Sequence, residues 1–148
     1  MTIQERLTEE MKAAMKAKDV LRLSTVRMAR TAIKNAEIES RCELGEEAVI
    51  KVLSTLVKQR REAADAYRES RPELAEKEEL ELAVLQEFLP QQLSPEELRD
   101  IIDRAIAELG ASSMKDMGAV MKQVTARTVG RADGKQVSGL VRMRLGGQ

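Results

Sequence analysis

Apolar residues recur every three or four positions along most of the chain, which is the period of a helix with one buried face. The first helix begins at a capping box of Thr2 and Glu5, and its apolar residues are spaced four apart: Ile3, Leu7, Met11 and Met15. The same reasoning predicts seven helices: residues 3–18, 20–38, 46–70, 72–88 and 95–109, then one that begins after Ser113 and one that begins after Asp133. The pattern therefore predicts an all-α protein.

Three of these helices carry patterns that predict their surroundings. Helix 2 is apolar over more than one face, so we expect it to be contacted on two sides, with its basic residues on a solvated rim: Arg22, Arg27, Arg30 and Lys34. Helix 4 carries an acidic run over residues 76–81, which is predicted to be a solvated face. Gly118 in helix 6 predicts a close backbone approach to a neighbouring element.

The strongest break in the pattern falls at Leu89-Pro90-Gln91-Gln92-Leu93. Proline ends helix 4, and Ser94 then caps a new helix whose first residue is Pro95. We therefore predict an N-terminal domain of about four helices over residues 1–90 and a small three-helix domain over residues 94–148.

Composition narrows the possible partners. The 148 residues include one Phe, one Tyr and no Trp, so the core must be aliphatic and stacking on unpaired bases is not expected. The net charge is zero, but residues 73–100 hold nine acids against two bases and residues 111–148 hold seven bases against two acids. Any polyanion should therefore be met at the C-terminal end.

The sequence has no histidine, which is the usual general base. It has one cysteine, Cys42, which excludes an internal disulfide and a cysteine-cluster metal site. We therefore expect no catalytic residues, no metal and no cofactor. Residues 1–18 are interrupted by charge and do not resemble a signal peptide, and no apolar run is long enough to span a bilayer. These features favour a soluble cytoplasmic protein without a membrane partner.

The candidate binding residues lie in the basic C-terminal segment: Lys115, Lys122, Arg131 and Lys135. Asp133 is predicted to cap helix 7, with Gln136 in the capping-box position. Free N–H groups at the start of that helix would favour an anion, although a simple capped turn explains the segment equally well. It is not a phosphate loop of a nucleotide hydrolase, because its spacing is one residue short and Gln136 replaces the magnesium-binding Ser or Thr.

Several short blocks, in the same order, resemble the stand-alone YqeY branch of the GatB/YqeY family. They are residues 18–23, 32–35, 57–61, 89–94, 115–118 with 121–122, and 130–135. The resemblance implies an all-helical protein related to the tail of the B subunit of glutamine-dependent aminoacyl-tRNA amidotransferase, where the tail helps to recognise tRNA. The family label, carbon–nitrogen ligase with glutamine as amido-N-donor, brings no catalytic residue to this chain.

Two function hypotheses follow. The first is a tRNA-binding or tRNA-metabolism accessory protein, which would contact phosphates through the four basic residues of the C-terminal segment. The alternative is a protein–protein adaptor that uses the acidic face of helix 4 or the basic face of helix 2. A self-sufficient ligase is the least supported, because a nucleotide site is missing from the sequence.

Overall fold

The computed structural model describes residues 1–146 and confirms the all-α prediction: the described chain contains helices and no strand. The helices are α1 (Ile3–Ala17), α2 (Val20–Ser40), α3 (Glu46–Tyr67), α4 (Pro72–Gln86), α5 (Pro95–Leu109), a short 3-10 helix (Met114–Asp116), α6 (Met117–Thr128) and α7 (Gly134–Gly146). Gly147 and Gln148, the end of the predicted C-terminal domain, lie outside the described residues.

Local capping fixes most of the helix starts. Thr2 accepts a hydrogen bond from the Glu5 N–H, and Ser94 accepts one from the Glu97 N–H, each as half of a complete capping box. Asp19 accepts from the N–H of Arg22 and so begins α2 one residue after the left-handed Lys18 ends α1. These bonds satisfy backbone donors that a helix start leaves without an intrahelical partner.

Contacts divide the chain into two compact units, the first covering Met1–Pro90 and the second beginning at Gln91. Whether each unit folds as an independent domain stays a prediction. The first unit contains α1 to α4, and the second contains the 3-10 helix and α5 to α7.

In the first unit α2 contacts α1, α3 and α4, so the expectation that it is covered on more than one side is confirmed. The core is aliphatic apart from one aromatic ring, and its buried residues are Ile3, Leu7, Val26, Ala29, Ile33, Val49, Leu53, Val57, Val84, Leu85, Phe88 and Leu89. Helices α3 and α4 end earlier than predicted, at Tyr67 and Gln86.

The prediction of a solvated acidic face on α4 is wrong for two of its glutamates. Glu78 and Glu81 are largely covered and lie against Arg60 of α3, whose Nη1 is 3.5 Å from Glu78 Oε2 and whose Nε is 3.0 Å from Glu81 Oε2. Arg60 also contacts the sulfur of Met28. Two carboxylates of the acidic run therefore form ion pairs inside the first unit and do not face solvent.

In the second unit the buried residues come from all three α-helices: Leu98, Ile102, Ala105, Val120, Val124, Val137, Val141 and Leu145. The helix predicted after Ser113 begins as a 3-10 helix, which has three residues per turn, and Met114 at its start is 43% exposed. The prediction for Gly118 is wrong, since a Cβ there would meet nothing within 4 Å.

Candidate nucleic-acid interface

The turn between α6 and α7 is built on Gly130 and is tied to the chain that precedes α5. Gly130 is buried and has φ of +76°, a conformation that residues with a side chain rarely adopt. Its carbonyl oxygen accepts a hydrogen bond from Gln92 Nε2 at 2.8 Å. The backbone N–H of Leu93 donates to the carbonyl oxygen of Arg131 at 2.8 Å, and Arg131 Nε donates to the carbonyl oxygen of Gln91 at 3.2 Å.

These bonds give Arg131 a structural role, because its carbonyl and its side chain both hold residues 91–93 against the turn. The side chain is half-buried. The pKa of Glu97 is lowered by its hydrogen bonds to the backbone N–H and the side chain of Ser94, and to a smaller extent by the charge of Arg131.

The start of α7 already holds an anionic group. The Lys135 N–H donates to Asp133 Oδ1 at 3.3 Å, and the Val137 N–H donates to the Asp133 carbonyl oxygen at 3.0 Å. A carboxylate at this position takes up one of the N–H groups and supplies the negative charge that the helix dipole favours. The geometry thus favours the capped-turn interpretation over a dedicated anion site at this one helix start.

The four predicted binding residues do not form one compact cluster. Lys135 lies at the start of α7, whereas Lys115 lies in the 3-10 helix, whose Met114 sulfur is 3.4 Å from the position of a Cβ at Gly146. Because α7 has 13 residues, about 20 Å of helix separates these two ends. Lys122 is on α6, turned about 160° around the helix axis from the buried Val120 and Val124.

Ion pairs remove two arginines from the basic segment. Arg127 Nη2 is 2.9 Å from Glu108 Oε2, and Arg144 Nη2 is 2.6 Å from Asp103 Oδ1. Both carboxylates belong to α5, and the Arg127 hydrogen bond is the largest cause of the lowered pKa of Glu108. The local positive charge is therefore smaller than the sequence count suggests.

Arg142 is a candidate that the sequence analysis missed. It follows Lys135 by seven residues on α7 and is exposed, so the two side chains share a face and are about 10.5 Å apart along the helix axis. Within residues 1–146, no carboxylate pairs with Lys122, Lys135 or Arg142. The seven-residue spacing of Lys135 and Arg142 could have indicated from the sequence that the two cations share a helix face.

Comparison with known proteins assigns the chain to a family. The protein-family model described as "Yqey-like protein" matches residues 4–145. The chain belongs to the YqeY-like family. Two of the blocks that carry the resemblance, residues 89–94 and 130–135, are the ones joined by the hydrogen bonds at the Gly130 turn.

Individual relatives share part of this YqeY-like chain. The protein named "Altered inheritance of mitochondria protein 41, mitochondrial" in Vanderwaltozyma polyspora is 33% identical over 119 residues, which are 75% of this chain and 64% of that protein. The protein of the same name in Eremothecium gossypii is 39% identical over 85 residues, covering 56% of this chain and 46% of that protein. The one in Clavispora lusitaniae is 30% identical over 122 residues, covering 80% and 71%. The chain thus spans about half to two thirds of the length of the first two relatives.

No helix within residues 1–146 has the length and apolar character needed to cross a membrane.

Proposed function

We propose that the second unit binds the phosphate backbone of tRNA through Lys122, Lys135 and Arg142, with Lys115 and Arg131 at the two ends of the surface. We call these five residues the basic face. The observation that carries the proposal is the contrast within α6 and α7. Arg127 and Arg144 are neutralised by α5, whereas Lys122, Lys135 and Arg142 point to solvent without a carboxylate partner in the described chain.

The spacing of these cations suits a chain of phosphates better than a single anion. Each strand of duplex DNA carries a phosphate about every 3.4 Å along the axis, so the roughly 10.5 Å between Lys135 and Arg142 corresponds to about three phosphates. The only aromatic residues, Tyr67 and Phe88, belong to the first unit, so recognition would rest on backbone shape and charge. The relationship of the family to the tRNA-recognising tail of the amidotransferase B subunit supports tRNA as the polyanion.

The test is a fluorescence anisotropy titration of the full chain with unfractionated tRNA over a range of salt concentrations. Lys122→Glu with Lys135→Glu is the informative variant, because both side chains are exposed and neither holds the fold together. Arg131 is unsuitable, since its side chain holds Gln91. We expect weaker binding and a salt dependence that is flatter by roughly one unit of slope for each lost contact.

Lys12→Glu with Lys16→Glu is the matched control, because it changes the charge by the same amount on exposed positions of α1. It should leave tRNA affinity nearly unchanged. Equal losses from the two variants would mean that only net charge matters, and the proposal of a basic face would fail. A titration with duplex DNA measures whether the surface prefers tRNA to another polyanion.

The adaptor alternative now has support on one helix only. On α4, Glu78 and Glu81 pair with Arg60, and Glu79 lies 2.9 Å from Arg68, so few of its charges remain for a partner. On α2, three of the four basic residues are exposed. A pull-down with and without nuclease distinguishes the hypotheses: a partner that survives nuclease treatment supports the adaptor, and recovery of tRNA supports the basic face.

In this proposal the chain is an accessory to tRNA metabolism and brings no complete catalytic site of its own. A cytoplasmic location stays a prediction, and the relatives described above are named as mitochondrial proteins.

A further inference from the structure

A groove in the first unit combines an apolar floor with a basic wall. It has a volume of about 490 Å³ and lies between α1 and α2. Ligand pockets for small organic molecules typically have volumes of about 300 to 1,000 Å³. Its lining on α2 runs from Arg27 to Glu37, which corresponds to roughly 15 Å of helix.

The floor is aliphatic. Leu7 and Ile33 are buried and Met11 is half-buried, and all three line the groove. No aromatic ring contributes to the described lining, so the floor fits a flexible hydrocarbon chain and offers no stacking surface for a base or another flat ring.

The wall formed by α2 carries three cations: Arg27, Arg30 and Lys34. Arg22, on the same helix, is saturated by Glu10 and Glu87, but the wall cations have no carboxylate partner in the described structure. Arg30 instead donates from Nη1 to the sulfur of Met11 at 2.9 Å, and a thioether is a weak acceptor. Glu37, the carboxylate among the described lining residues, already accepts the N–H of Leu44 at 2.9 Å.

A second observation also points to an acceptor on the ligand. Gln4 lines the groove, and its Nε2 is buried without a hydrogen-bond partner in the part of the chain that the structure describes. Buried donors are normally paired, because leaving one unpaired is costly. A ligand that presents an anionic oxygen would satisfy this donor and offer the wall cations a stronger acceptor than a thioether.

We propose that the groove between α1 and α2 binds a small amphiphilic anion: a carboxylate carried on an aliphatic chain. The carboxylate contacts Gln4 and lies in the positive field of the wall cations, and the aliphatic chain lies along Met11, above the buried Leu7 and Ile33. This site is separate from the basic face and does not depend on tRNA binding.

The test is isothermal titration calorimetry of the full chain with decanoate, kept below its micelle-forming concentration. Acetate carries the charge without the chain, and decanol carries the chain without the charge, so both should bind much more weakly. Acetate binding as tightly as decanoate would overturn the role of the floor, and equally tight decanol binding would overturn the role of the cations. No decanoate binding at all would overturn the site.

Arg27→Gln with Lys34→Gln should raise the dissociation constant of decanoate about tenfold, as expected when two of the charges that attract the anion are lost. Lys12→Gln with Lys16→Gln removes the same charge from exposed positions outside the groove and should leave the dissociation constant unchanged. Equal effects of the two pairs would contradict a localised site.

Gln4→Leu gives an independent readout. It removes the buried donor while keeping a similar volume, so it should raise the melting temperature of the free protein and weaken decanoate binding. Unchanged affinity would show that Gln4 does not contact the carboxylate. Circular dichroism of each variant checks that the helices are intact.

Discussion

The backbone N–H of Leu93 donates to the carbonyl oxygen of Arg131 at 2.8 Å, which joins the predicted domain boundary to the turn before α7. Residues 91–93 therefore belong with the second unit and do not form a free connection. Because the Arg131 side chain holds this segment, only the part of its guanidinium that does not bond to Gln91 can contact a polyanion.

The first prediction concerns Gln92, whose side-chain amide bonds to the carbonyl of the buried Gly130. Gln92→Ala leaves that carbonyl without its side-chain donor, which should cost about 1 to 2 kcal/mol. Hydrogen exchange of the full chain should show the loss of protection in α6 and α7. Gln91→Ala is the control, because Gln91 bonds through its backbone carbonyl. Equal losses in the two variants would contradict the role of the Gln92 amide.

The second prediction compares two glycines of the same unit. Gly130 needs its positive φ, so Gly130→Ala should destabilise the protein by about 1 to 2 kcal/mol. Gly118 lies in α6, and a Cβ there meets nothing within 4 Å, so Gly118→Ala should stabilise the protein by roughly 0.5 to 1 kcal/mol. Urea unfolding measures both. A loss of stability in Gly118→Ala would restore the close approach that the sequence predicted.

Local features of this fold could be predicted from the sequence, and long-range contacts could not. Signals whose partners lie within a few residues were readable, such as the capping boxes at Thr2 and Ser94, since the bonded groups are three residues apart. Long-range partners were not readable. Arg144 and Asp103 are 41 residues apart, so nothing in the local pattern indicates that this arginine is neutralised.

The same limit explains the errors in the candidate site. The charge count treated the seven bases of residues 111–148 as equivalent, although packing against α5 pairs two of them. The turn before α7 could be predicted from its cap at Asp133, because the capping groups lie within a few residues of each other. The hydrogen bonds of this turn to Gln91, Gln92 and Leu93 could not be predicted. They depend on how the segment before α5 packs against the end of α6.

The third prediction concerns pH. Arg22 lies 2.8 Å from both Glu10 and Glu87, and its hydrogen bond is the main cause that lowers the pKa of Glu87. The Glu87 contribution is thus fully present above the ordinary pKa of a glutamate and is lost as pH falls through the lower folded-state pKa. Because Glu87 is about half exposed, Glu87→Gln should cost less than about 1 kcal/mol at pH 7.

Urea unfolding at several pH values checks this dependence. The stability gap between the unmodified chain and Glu87→Gln should close as the solution becomes acidic. Glu9→Gln is the control, since Glu9 is exposed and has no ion-pair partner among the described residues. A gap that stays constant below the ordinary pKa of a glutamate would show that the carboxylate charge does not act through Arg22.

The last prediction separates paired from unpaired charge on one helix. Arg142 and Arg144 both lie near the end of α7 and are exposed, but among residues 1–146 only Arg144 has a carboxylate partner, Asp103, at 2.6 Å. Arg142→Ala should reduce tRNA affinity and flatten its salt dependence by roughly one unit of slope, with little change in stability. Arg144→Ala should lower stability by about 0.2 to 1 kcal/mol and leave the salt slope nearly unchanged, because a paired arginine has less charge to offer a phosphate. Anisotropy titrations measure the salt slope of each variant, and urea unfolding measures its stability. If the two substitutions reduced the salt slope equally, the ion pair with α5 would not decide which arginines a polyanion meets.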